Sequence, residues 1–171
     1  MPIYALGDVE PDIHPDAWVA PEAVLIGAVV LGPEATVWPN AVLRADDNVI
    51  RIGARTSVQD GCVIHCTYDL PTTVGEECVI GHNVHLEGCT IEDRSLVGSG
   101  AVVLHRAVIG PDGLVGANAV VTNGFVVPPG GQALGVPAKL RGEADTAEIR
   151  RGMQSYLDRR KRFLAELRRI G

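Results

Sequence analysis

Aromatic residues are scarce in this chain, with two Trp, three Tyr and two Phe among 171 residues. A core with so few rings must be built from aliphatic side chains, and the abundant Gly and Pro, 20 and 11 residues, mark turns between many short strands. No stretch approaches the ~20 apolar residues of a membrane span, and the N-terminus M-P-I-Y-A-L-G-D has no basic segment followed by a long apolar run. A cytoplasmic protein without a membrane partner is therefore expected. Cys62, Cys66, Cys78 and Cys89 form no C-x-x-C pair; in a reducing compartment a disulfide framework is not expected, and the four read as buried thiols packed as small hydrophobes. No Ser/His/Asp arrangement or phosphate-binding loop is visible, because the glycines fall where a repeat turns its corners.

Charge is unevenly divided. From Thr146 onward eight Arg or Lys face only three acidic residues, whereas the whole chain carries −6, which leaves −11 on the remainder. A basic tail on an acidic body has a nearer partner than nucleic acid, so docking on its own oligomer is expected and no nucleic-acid partner is.

What is present in place of rings is a repeat of six. Aliphatic residues recur at Ile13, Val19, Leu25, Leu31, Val37 and Leu43, resume at Ile52, Val58 and Ile64, and again at Val74, Ile80 and Leu86, then run from Ile91 to Val127. Small residues such as Ala23, Ala41, Ala101 and Ala119 stand four places after many of them. Three units make one coil, so positions eighteen apart should stack, as Val19 with Val37 and Val103 with Val121. In the middle the steps lengthen to 21 and 22, which predicts excursions near 45–51 and 66–73. A coil cannot cover its own apolar interior, so stacking is what stabilises it. The expected fold is mainly β, a parallel solenoid over 1–142, followed by an α-helix over 143–171. In that helix Asp145 and Glu148 form a capping box, and Ile149, Met153, Tyr156, Leu157, Leu164 and Leu167 supply an apolar stripe to pack on the solenoid or the oligomer.

Equal positions in stacked coils lie about one strand spacing, roughly 4.8 Å, apart. The residues following the inward aliphatics in one column are Arg44, His65, Glu87 and Leu104, which makes His65 and Glu87 neighbours on one outer face. In another column Asp60 stacks beside His82, where it can orient a ligand imidazole. His82 belongs to a different face, so a metal shared by all three requires a second copy packed face to face, as in a threefold oligomer. Three N/O donors leave a fourth position open, as catalytic zinc needs.

From about residue 13 to 140 the sequence resembles the γ-class carbonic anhydrases and their close relatives, hexapeptide-repeat proteins. The pieces that carry this are V-W-P-N-A-V-L-R-A-D at 37–46, V-Q-D-G-C-V-I-H at 58–65, I-G-H at 80–82 and the terminal G-V-P-A-K at 135–139. The resemblance implies a left-handed parallel β-helix, a homotrimer with zinc between subunits, and hydration of carbon dioxide to bicarbonate by zinc-activated water. It implies His65 and His82 as zinc ligands and Arg44 with Asp46 as an interfacial ion pair. Gln59 and Asp60 match residues near the activated water and the ligands, and Asp47 matches a proton-shuttling acid.

The sequence departs from the family at the third ligand, a histidine five residues after that of I-G-H, where this chain has Glu87. Three readings stay open: Glu87 coordinates, His85 reaches in by a local shift, or the site has lost its metal. The column favours Glu87, since carboxylate is an acceptable zinc ligand. Two histidines and a carboxylate also suit ferrous iron or another divalent metal. His85 reads as a surface histidine pointing elsewhere, and His105 as a surface or inter-subunit one. Two further functions fit the repeat: an acyltransferase using acyl-CoA, against which neither excursion holds a histidine, and a non-catalytic trimeric binding protein.

Overall fold

The computed structural model describes residues 2–171. Parallel strands of two or three residues succeed one another around three faces, and each pairs with its counterparts one coil away. The first face stacks Leu25, Leu43, Ile64, Leu86, Val103 and Val121. The second stacks Ile13, Leu31, Ile52, Val74, Ile91, Ile109 and Val127. The third stacks Val19, Val37, Val58, Ile80, Val97, Val115 and Ala133. Every register is the one the six-residue period predicts, and the inward side chains form one continuous core in which Leu43, Ile64, Ile80 and Leu86 are wholly buried. The four thiols are free and buried within it, and burial pushes those of Cys62, Cys78 and Cys89 up to about 12.

Both excursions lie where the lengthened steps place them, but the first is not a detached loop. It is the middle of one long strand, Val42–Ile52, which rounds the corner between the first and second faces beside Val24–Leu31 and accommodates its extra residues as a register shift opposite Gly27 to Val29. The second follows His65 and is closed by paired backbone bonds between Thr67 and Leu70. Asn48 joins the two, donating from Nδ2 to the Tyr68 carbonyl at 3.0 Å. The solenoid ends at Lys139–Glu143, one residue beyond the expected limit, antiparallel to Gly131–Leu134.

The helix spans Thr146–Glu166 with Asp145 as its N-cap, whose carboxylate accepts the Glu148 amide at 3.0 Å. Leu167 falls just past it. The apolar stripe docks on the third face of its own solenoid. Ile149 is buried there, Tyr156 packs edge-on against Trp38 at 5.3 Å between ring centroids, and Phe163 meets Trp38 and Trp18 at 5.0 and 5.6 Å. Of the basic face, Arg160 reaches the acidic body, pairing with Glu34 at 3.7 Å and donating to the Asp16 carbonyl. Asp145→Ala is expected to cost about 1 kcal/mol, the usual worth of an N-cap, measured as a lower midpoint of urea unfolding. No helix among the described residues is long and apolar enough to cross a membrane.

Candidate metal centre

The first face carries the centre. The strand His85–Glu87 lies between Val63–His65 and the Val102–Val103 pair, with Glu87 in register with His65. Because Leu86 points inward, both of its neighbours point out. This corrects the expectation for His85: residues i and i+2 of a strand share a face, and His85 Nε2 stands 3.2 Å from Glu87 Oε2. His65 Nδ1 faces Glu87 Oε1 at 3.1 Å, and His105 Nε2 approaches that same oxygen at 3.6 Å from the next coil. One carboxylate is thus met by three imidazoles. Partial burial pushes the Glu87 carboxyl up, but the hydrogen bonds to His65 and His85, with His105 close by, outweigh it and hold the group below its ordinary range.

The other nitrogen of His65, Nε2, meets Asp46 Oδ1 at 2.9 Å, and Arg44 pairs with Asp46 within the same chain. Slight burial raises the Asp46 carboxyl, and the His65 hydrogen bond and the Arg44 charge reverse this, leaving it lowered. Neutral imidazole has one N–H to give, so His65 donates either to Asp46 or to Glu87; with that proton on Nε2 toward Asp46, Nδ1 would offer its lone pair to an ion. Asp47 stands beside them; one donor atom each from Asp46, Asp47 and His65 lie within 4.8 Å of one another.

His82 lies elsewhere, in the turn between the third and first faces. Two features of the chain set that turn. Gly81 is packed so closely that a Cβ would stand 2.7 Å from the Ser99 amide nitrogen, and Asn83 adopts φ 58°, a left-handed conformation that Asn tolerates better than most residues. As the column predicts, Asp60 reaches His82, with Oδ2 2.9 Å from Nδ1. His82 Nε2 accepts from the Tyr156 hydroxyl at 3.3 Å, and burial pushes that phenol up, so it remains a donor. Gln59, just before Asp60, is buried on the third face. The residues matched to the site therefore divide into two groups within one chain: Arg44, Asp46, Asp47, His65 and Glu87, joined by His85 and His105, and on a separate corner Gln59, Asp60 and His82, joined by Tyr156. Sequence reasoning misses Tyr156 because it is 74 residues from His82 and reads only as part of a helical stripe.

The donor set fits a divalent transition metal. Ligands sharing a tetrahedral zinc at about 2.0–2.1 Å stand roughly 3.3 Å apart, and the His65–Glu87 separation of 3.1 Å is close to that.

A solenoid of hexapeptide repeats with histidines and carboxylates on its outer face defines the class of protein. Residues 71–105 and 88–123 match the family described as "Bacterial transferase hexapeptide (six repeats)". A "Probable carbonic anhydrase" of Methanocaldococcus jannaschii is 44% identical over 132 residues, 77% of this chain and 83% of that protein. The "Carnitine operon protein CaiE" of Escherichia coli is 42% identical over 112 residues, 66% of this chain, and the match spans only 57% of that relative's length. Among solved structures, a hexapeptide transferase family protein from Anaplasma phagocytophilum superposes with a TM-score of 0.91 at 29% identity, over 95% of this chain and 98% of its own. The chain belongs to the γ-class carbonic anhydrase-like family of hexapeptide-repeat proteins, and its solenoid is the left-handed parallel β-helix.

Proposed function

We propose that this protein is a metal-dependent lyase that hydrates carbon dioxide to bicarbonate, with its metal held between copies of the chain in a homotrimer. The observation that carries the reading is the stacking of His65 on Glu87 at 3.1 Å, with an imidazole nitrogen and a carboxylate oxygen facing each other on an outer face. His65 and Glu87 would hold the ion together with His82 of a second copy. Bound by these residues, zinc would supply the activated water that attacks carbon dioxide; ferrous iron suits the same donors.

The surrounding residues hold those donors in place. Asp46 fixes the ring of His65 through Nε2, and Asp60 fixes that of His82 through Nδ1. Asp47, exposed beside Asp46 and His65, would pass a proton to solvent. Gln59 and Asp60 bring a polar edge to the His82 corner, and the Tyr156 hydroxyl, which would release His82 Nε2 when that nitrogen binds the ion, adds a donor there.

The expected result is about one zinc per chain in protein purified without chelator, with carbon dioxide hydration that His65→Ala abolishes. Protein that is free of metal and stays inactive after zinc loading would sink the reading. The likeness to a hexapeptide transferase family structure supports one other function, acyl transfer from acyl-CoA, for which tight acetyl-CoA binding by calorimetry is the test. Neither excursion, near 45–51 or 66–73, holds a histidine to serve such chemistry.

A further inference from the structure

We propose that His105 is itself a metal ligand, completing with His65 and Glu87 a three-donor set within one chain; this rests on the metal-centre reading above. His105 lies at the corner that follows Val102–Val103, one coil beyond Glu87, while His65 lies one coil before it. Both imidazoles aim at the same oxygen, Glu87 Oε1, at 3.1 Å for His65 Nδ1 and 3.6 Å for His105 Nε2. These separations bracket the roughly 3.3 Å expected between ligands of a tetrahedral zinc. The other oxygen, Oε2, is taken by His85 Nε2 at 3.2 Å. His85 thus orients the carboxylate, and Oε1 is left as the point on which two further imidazoles converge.

Two observations set His105 apart from an ordinary surface histidine. Its Nε2 atom is buried and has no hydrogen-bond partner, a state that forfeits solvation unless something else accepts the lone pair. Its ring also lies over Gly88, where a Cβ would stand 3.2 Å from Cδ2, so the bare glycine leaves the room that lets the imidazole sit beside the carboxylate. With two imidazoles and a carboxylate from one chain, the ligand class is a borderline divalent cation such as zinc, cobalt or ferrous iron. His82 of a second copy would then be the fourth donor and the water a fifth, a coordination number that zinc can reach. Where the family has a histidine and this chain has Glu87, His105 restores an imidazole from the neighbouring coil.

The test is cobalt(II) titration of the full-length protein, the visible bands reporting the ligand set and a competing chelator the affinity. His105→Gln is expected to change the bands and to weaken binding by more than about 100-fold, beyond the roughly 10–100-fold that follows loss of an outer hydrogen-bonding partner. Unchanged bands in His105→Gln, whatever the affinity, leave His105 a mere neighbour of Glu87 and overturn the assignment. Should that variant not fold, the histidine ring signals of the wild-type protein decide in its place: the His105 resonances shift on zinc addition if it ligates, and stay put if it does not. Wild-type protein that takes up no metal removes this assignment and the metal-centre reading together. Cobalt bound by wild type, lost in His65→Ala and unaltered in His105→Gln removes this one alone.

Discussion

Glu87→Ala is expected to lower zinc affinity by more than about 100-fold, a larger loss than removing an outer partner brings. In the proposed centre the side chain is a ligand in its own right, and it is also the carboxylate that three imidazoles approach at 3.1, 3.2 and 3.6 Å. Without it His65 keeps Asp46 at Nε2, but His85 loses its partner on Oε2 and the donors no longer face a common oxygen. Glu87→His separates charge from ligation. An imidazole restores a donor without the negative charge that a carboxylate adds to the metal, and a neutral ligand leaves the activated water easier to ionise near pH 7. One pKa unit of such relief is a tenfold gain in the reactive form, so this variant is expected to keep its zinc and to hydrate carbon dioxide at least about tenfold faster than the parent. Metal content after dialysis against buffered zinc, with stopped-flow hydration rates, reads both arms. Undiminished zinc in Glu87→Ala would mean that the carboxylate is not a ligand.

The repeat makes the stacking legible in the order of residues alone. Because inward positions are fixed by a period of six, the lengthened steps locate the insertions near 45–51 and 66–73, and the pairings of His65 with Glu87 and of Asp60 with His82 follow from equal column positions. What stays hidden lies off the columns. His105 sits at a corner, where the turn's own dihedral angles and not the strand period aim the side chain, so its approach to Glu87 cannot be counted out from Val103. His85 is legible once the right rule is applied: strand alternation puts it beside Glu87, whereas the column count from the inward Leu86 follows only the residues after each aliphatic and sends it elsewhere. The helix is a third case. Its stripe announces that one side is buried, but three similar flat faces are available, and the choice is made by Trp18 and Trp38 on the third face, against which Tyr156 and Phe163 close. That choice is also what delivers the Tyr156 hydroxyl to His82.

The second large effect is expected from the core directly beneath the site. Leu86→Ala should destabilise the fold by roughly 2–5 kcal/mol, the range for truncating a buried leucine where the surroundings cannot collapse into the space. Leu86 is wholly buried, and its column neighbours Ile64 and Val103 are fixed by backbone pairing on both sides. Coils joined by parallel hydrogen bonds cannot move together to fill a gap without breaking register along the whole face, so the cavity persists. Each coil also leans chiefly on its immediate neighbours, and a defect at this middle level weakens two interfaces where one at an end weakens one. Val126→Ala, at an exposed outward position near the end of the second face, should by contrast stay within about 0.5 kcal/mol, as surface changes usually do. Denaturant unfolding of the two variants gives the comparison, and a Leu86→Ala cost below about 1 kcal/mol would show that the coils relax after all. The same measurement with saturating zinc links core to site. Ligand bound only by the folded state adds RT ln(1 + [L]/Kd) to stability, so if the cavity lets the strand His85–Glu87 sag, the increment from zinc shrinks in Leu86→Ala and not in Val126→Ala, whereas equal increments would mean that the backbone alone holds the donors in place.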